Sequence, residues 1–122
     1  MSIEEDKVFV CLLHEIKAGE ARSVPLPRKP THLVPYTAIV LRTKSGELRA
    51  YLNECKHLPI PLDAGSGQFW DSTGNRLLCS THGAQFQAED GRCVLGPCHG
   101  ASLECLPLCV EGDKVFVGNF AT

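Results

Sequence analysis

Asn53-Glu54-Cys55-Lys56-His57 and Leu78-Cys79-Ser80-Thr81-His82-Gly83-Ala84-Gln85-Phe86 are the two stretches whose joint reading decides the fold. The first contains a C-x-H, Cys55 to His57. The second contains a C-x-x-H, Cys79 to His82, followed at once by Gly83. Each offers one thiolate and one imidazole within a single tight loop, so together they supply two sulfurs and two nitrogens. That donor set suits tetrahedral zinc, or a two-iron cluster with both cysteines on one iron and both histidines on the other. The spacing favours the cluster. A single residue between Cys55 and His57 makes an extended or tightly turned loop that closes poorly on one zinc ion, unlike the wider C-x2–4-C knuckles. Giving each loop's cysteine to one iron and its histidine to another removes the difficulty.

Outward from these motifs the chain reads as short strands. Gln68-Phe69-Trp70 and Arg76-Leu77-Leu78 read as a hairpin around Ser72-Thr73-Gly74-Asn75. Ala84-Gln85-Phe86-Gln87 and Arg92-Cys93-Val94 read as another, around Glu89-Asp90-Gly91. Farther out, Val8 to Leu12, Ala21 to Leu26, Thr37 to Arg42, Leu48 to Leu52, Leu106 to Val110 and Lys114 to Gly118 carry the β-branched and aromatic residues of strands. Lys44 to Glu47 and Glu111-Gly112-Asp113 are the turns between paired strands. No useful length shows a helical period. The expected architecture is all-β: an antiparallel sandwich or barrel, with a small β subdomain inserted over about residues 53–101.

The whole composition agrees with one globular domain over residues 1–122. An apolar share of 43% with 21% charged residues is too hydrophobic for a disordered chain. The formal charge of −2, with Lys and Arg scattered, offers no basic stripe to nucleic acid. The longest apolar run, Val8 to Leu13, falls well short of the roughly 20 residues of a membrane helix. Met1 to Asp6 is acidic and lacks the basic and apolar regions of a secretory signal, so a cytoplasmic protein is expected. Seven cysteines is an odd number, which speaks against a complete disulfide framework and for thiols and metal ligation.

Taken together, the paired motifs resemble those of the Rieske family, and the resemblance runs along nearly the whole chain. Val8-Phe9-Val10 and Glu15 to Glu20 look like the first strand and turn of Rieske ferredoxins. Asn53 to His57, with Pro61-Leu62 and Gly65, looks like the first cluster loop, and Leu78 to Phe86 like the second. Asp90-Gly91 and Gly96-Pro97 look like the approach to the third loop that covers the cluster. The resemblance implies a Rieske fold and one Rieske-type 2Fe–2S cluster. It also implies Cys55 and Cys79 on an inner iron and His57 and His82 on a solvent-facing one. It further implies a ferredoxin that carries single electrons between a reductase and an acceptor such as an oxygenase, as a monomer and not as an enzyme by itself.

Departures from the family pattern carry information too. High-potential Rieske proteins have a bridging cysteine in each cluster loop; Ile60 and Thr81 stand there, so that disulfide is absent. They also have Ser and Tyr donors where Ala84 and Phe86 stand. With fewer hydrogen bonds to cluster sulfur, a potential on the order of −150 mV is expected. Ser80 replaces the usual proline after the second ligand cysteine, and the Phe69 to Arg76 hairpin lengthens the gap between the motifs. Cys11, Cys93, Cys105 and Cys109 are expected to pack in the core, Cys98-His99 to pack near the cluster without ligating it, and His14 and His32 to lie at the surface. Leu58-Pro59-Ile60-Pro61 is expected to shield the cluster, either for that alone or also as an apolar docking rim. The rival functions are a Rieske-like small subunit of a nitrite reductase, which often lacks the ligands present here, and a structural zinc- or cluster-binding module.

Overall fold

The computed structural model describes residues 7–26, 37–54, 61–63, 66–81, 83–97 and 99–118. Among the described residues nine strands run β1 (Lys7–Leu12), β2 (Ala21–Pro25), β3 (Thr37–Arg42), β4 (Leu48–Leu52), β5 (Arg76–Leu78), β6 (Gln85–Gln87), β7 (Cys93–Leu95), β8 (Leu108–Glu111) and β9 (Lys114–Gly118). They form three antiparallel sheets of three strands: an outer sheet ordered β1-β9-β8, a central sheet β2-β3-β4 and a tip sheet β5-β6-β7. The only helical piece among the described residues is the 3-10 turn Leu13–Glu15.

Packing explains the order of layers. β3 reads Thr-Ala-Ile-Val-Leu-Arg without polar alternation because both of its faces are covered, and Ala38, Ile39, Val40 and Leu41 are all fully buried. Ile39 and Leu41, with Tyr51 of β4, join Phe69, Leu77, Cys79 and Phe86 in one core beneath the tip sheet. Ala38 and Val40, with Ala50 and Leu52, join Cys11, Val115 and Val117 in a second core against the outer sheet. The central sheet thus separates two hydrophobic cores, each closed by a different sheet.

Register decides which side chains reach the second core. Phe9 lies opposite Phe116, but Cys11 lies opposite Val115, so Val10 is an extra residue in a β-bulge. The bulge turns Cys11 inward, where burial pushes its thiol pKa up and keeps it protonated. Phe9 stays half exposed, edge-on to Phe116 with ring centroids 5.8 Å apart.

After β7 the chain returns along the open edge of the central sheet. Leu52 N donates to Glu104 O, and Leu106 N donates to Ala50 O, at 2.8 and 2.9 Å. Leu103 and Leu106 are consequently buried in opposite cores, whereas Cys105 between them is exposed. Cys109 is only partly buried, on the edge strand β8, with its Sγ–H 3.7 Å from the Glu111 carboxylate. These two cysteines correct the expectation of core packing: both occupy edge positions that no further layer covers. Cys11 and Cys93 are buried as expected.

Two glycines permit close approaches, Gly91 between tip and base and Gly96 within the tip. A Cβ on Gly91 would meet the Tyr51 ring at 2.9 Å, and one on Gly96 would lie 2.7 Å from Ala84 Cα. Both have positive φ as well, so glycine is required twice over. Tyr51 reaches under the tip to donate from its hydroxyl to Ala88 O at 2.7 Å, and burial pushes its pKa up. Among the described residues, no helix is long and apolar enough to cross a membrane.

Candidate metal centre

The stem of the first motif loop is fastened by side chains. β4 ends at Leu52, and Asn53 follows with 1% exposure. Its Oδ1 accepts from Leu62 N at 2.8 Å, so the residue entering the loop grips a residue leaving it. Its Nδ2 donates to Thr37 Oγ1 at 3.0 Å and to Asp63 Oδ1 at 3.3 Å. Asp63, itself 4% exposed, accepts from Gly67 N at 2.9 Å, and its carbonyl accepts from Ser66 N and Oγ. An amide fits this place because it must accept on one side and donate on the other. Buried polar atoms left unmatched here would be costly.

The second motif loop is closed mainly by backbone. Cys79 N donates to Ala84 O, and Gly83 N donates to Cys79 O, both at 2.8 Å. Gly83 sits at φ +77°, which explains a glycine directly after the motif histidine. Cys79 is fully buried at the root of this turn, within the core under the tip sheet. Ser80 reaches sideways: its N and Oγ both donate to Leu62 O, at 2.9 and 3.1 Å. Leu62 therefore joins the two loops, and its own side chain is fully buried in the core that holds Cys79. The third segment closes on the second where Gly96 meets Ala84.

Of the four motif side chains, Cys79 is described, whereas Cys55, His57 and His82 lie outside the described residues. Among the described residues no group of three or more His, Cys, Asp or Glu side chains gathers as a metal site. Ile60 and the apolar stretch 58–60, Cys98 and His32 also lie outside them. His14 is exposed as expected; His99, expected to pack near the cluster, is exposed as well. Ala84 and Phe86 are fully buried beside the second loop, and neither side chain carries a donor. Asn53, Asp63 and Ser80 had no assigned role in the sequence reading. The available signal was an amide two residues before the first motif cysteine and a hydroxyl where proline is usual.

The residues present fit a 2Fe–2S group. One soft candidate donor, Cys79, is shielded from water at the root of a turn, and the stems of the two C/H loops are tied to each other by hydrogen bonds. Four donors of two sulfurs and two nitrogens match a cluster with mixed ligation.

The profile of the Rieske [2Fe-2S] domain matches residues 6–110. A cytochrome b6-f complex iron-sulfur subunit from Prochlorococcus marinus is 42% identical over 52 residues, covering 43% of this chain and 28% of its own length. The oxidoreductase NdmD of Pseudomonas putida is 33% identical over 60 residues, covering 49% of this chain and 9% of its own. The chain therefore spans less than a third of either relative. Among solved structures, the ferredoxin of carbazole 1,9a-dioxygenase from Nocardioides aromaticivorans superposes with a TM-score of 0.66 at 20% identity, covering 92% of this chain and 96% of that one. A reduced complex between oxygenase and ferredoxin in carbazole 1,9a-dioxygenase gives 0.69 at 20% identity, over 92% of this chain and 28% of that one. The three small sheets are thus a Rieske fold. The chain belongs to the Rieske [2Fe-2S] domain family, whose group is a Rieske-type 2Fe–2S cluster.

Proposed function

We propose that this chain is a small electron carrier in which Cys55 and Cys79 hold one iron and His57 and His82 the other. When bound, the cluster supplies a one-electron redox centre whose neutral imidazoles raise its potential above that of a four-thiolate cluster. The protein's share is to bury one thiolate, keep the two loops together and exclude water from the sulfur side. The observation that supports this reading is the tie through Leu62, which joins Asn53, two residues before the first motif, to Ser80, within the second.

The electron donor is a reductase and the acceptor is of the oxygenase type. Similar solved proteins include a ferredoxin recorded together with its oxygenase, which supports that choice. We assign the chain one domain over residues 1–122, with a cluster-binding part of about 53–101. It works as a monomer in the cytoplasm, without nucleic acid or membrane.

Purified protein reconstituted with iron and sulfide tests this. The expected result is a red-brown protein with two irons per chain and the reduced-state resonance of a His-ligated cluster. It should be reduced by a flavoprotein reductase and reoxidised by a Rieske oxygenase. A colourless protein with one zinc per chain would overturn the assignment.

A further inference from the structure

Ser80 stands where Rieske domains commonly have proline, and Ile60 and Thr81 stand where high-potential members carry bridging cysteines. Of these positions the structure describes Ser80 and Thr81, and it gives Ser80 a specific partner. Proline at 80 would have no N–H to give. Ser80 gives two donors, N at 2.9 Å and Oγ at 3.1 Å, to the single acceptor Leu62 O. On the other side, Leu62 N donates to Asn53 Oδ1 at 2.8 Å, and Asn53 is braced by Thr37 and Asp63. Leu62 is thus held from the entrance of the first loop and from the root of the second.

We propose that Asn53, Leu62 and Ser80 form a hydrogen-bonded clasp that keeps the two cluster loops together where high-potential relatives use a disulfide, and that Ser80 is its positioning residue. The inference rests on the ligand assignment above. The geometry gives it direction. The clasp residues flank Cys79 directly and reach Cys55 within two positions of Asn53, so slack in the clasp is slack between the thiolates. Leu62 O, part-buried, would lose two donors at once and incur part of its desolvation cost, so the clasp is worth more than one exposed contact.

The test follows cluster bleaching in excess chelator on the holo-protein, together with native-state amide exchange. Ser80→Pro removes both donors and should accelerate bleaching by about tenfold, whereas Ser80→Ala removes one and should accelerate it by about threefold. Ser80→Thr keeps both donors and should restore the parent rate. In Ser80→Pro the Leu62 amide should exchange faster while Val40 and Val117, in the base, stay unchanged. Parent-rate bleaching in Ser80→Pro, failure of Ser80→Thr to restore it, or equal acceleration of the base amides would overturn the clasp. Failure of the ligand assignment itself looks different, since the unsubstituted chain would then lack the His-ligated spectrum.

Discussion

The central sheet and the tip sheet share a core but are held by different means. β3 pairs along its whole length on both sides, from Ala21↔Leu41 to Pro25↔Thr37 and from Ala38↔Leu52 to Arg42↔Leu48. Burial on both faces does the rest. The tip strands are three residues long, with an irregularity between Gln85 and Phe86. Strands so short contribute few ladder bonds, and the loops they carry depend on contacts such as Asn53 to Leu62 and Ser80 to Leu62. The base can therefore persist on apolar burial, while the tip needs its specific bonds and its cluster.

The sharpest way to break that contrast is to remove a proposed ligand. His57→Ala or Cys79→Ser should abolish the visible spectrum and the reduced-state resonance altogether. Amide protection of Ile39, Val40 and Val117 should survive. Loss of base protection together with the cluster would show that the two regions stand or fall as one.

Core truncation gives the next effect. Leu77 and Val40 are both fully buried, one under the tip sheet and one against the outer sheet. Leu77→Ala should cost about 2–5 kcal/mol by denaturant unfolding, with bleaching accelerated as well. Val40→Ala should lower global stability without a matching change in bleaching. Equal effects of the two on bleaching would erase the distinction between tip and base.

A third test concerns the electronics of the tip. Ala84 and Phe86 offer the cluster no side-chain donor at those two positions, so the midpoint potential should lie near roughly −150 mV. Ala84→Ser should raise it, because a hydroxyl donor stabilises the reduced, more negative cluster. A parent midpoint above zero, read by spectroelectrochemistry, would mean that donors come from elsewhere.

The sequence shows the two regions unequally well. Thr37 to Arg42 is recognisable as a buried strand because four consecutive apolar residues need cover on two sides. The C-x-H and C-x-x-H-G pair is legible because ligand chemistry restricts residue types at fixed spacing. The Val10 bulge is not, since one extra residue in a β-branched run leaves the run looking regular. Cys105 and Cys109 look like core thiols by residue type, and only their places at sheet edges, one in an isolated bridge to Tyr51 and one on β8, put them outside. The clasp is hidden for a different reason. Asn53, Leu62 and Ser80 are far apart in sequence, and hydrogen bonds between such positions leave no periodic trace.

The smallest expected effect lies at the far end of the tip, in the turn before β5. Asp71 Oδ1 accepts from Thr73 Oγ1 at 2.8 Å and from Asn75 N and Arg76 N at 3.1 and 3.3 Å. The Thr73 hydroxyl first, and then the backbone amides, hold its pKa below the ordinary carboxylate range. A carboxylate with a lowered folded value stabilises the turn above its unfolded value and loses that contribution as pH falls through the folded value. The amide shifts of Asn75 and Arg76 should therefore move with one inflection on the acid side of an ordinary aspartate, and Thr73→Ala should bring that inflection upward. Because Asp71 is partly exposed to screening solvent, the cluster spectrum and bleaching rate should not follow this titration. If they do, the Phe69 to Arg76 hairpin is coupled to the cluster loops, and the division drawn between the stems and the rest of the tip is misplaced.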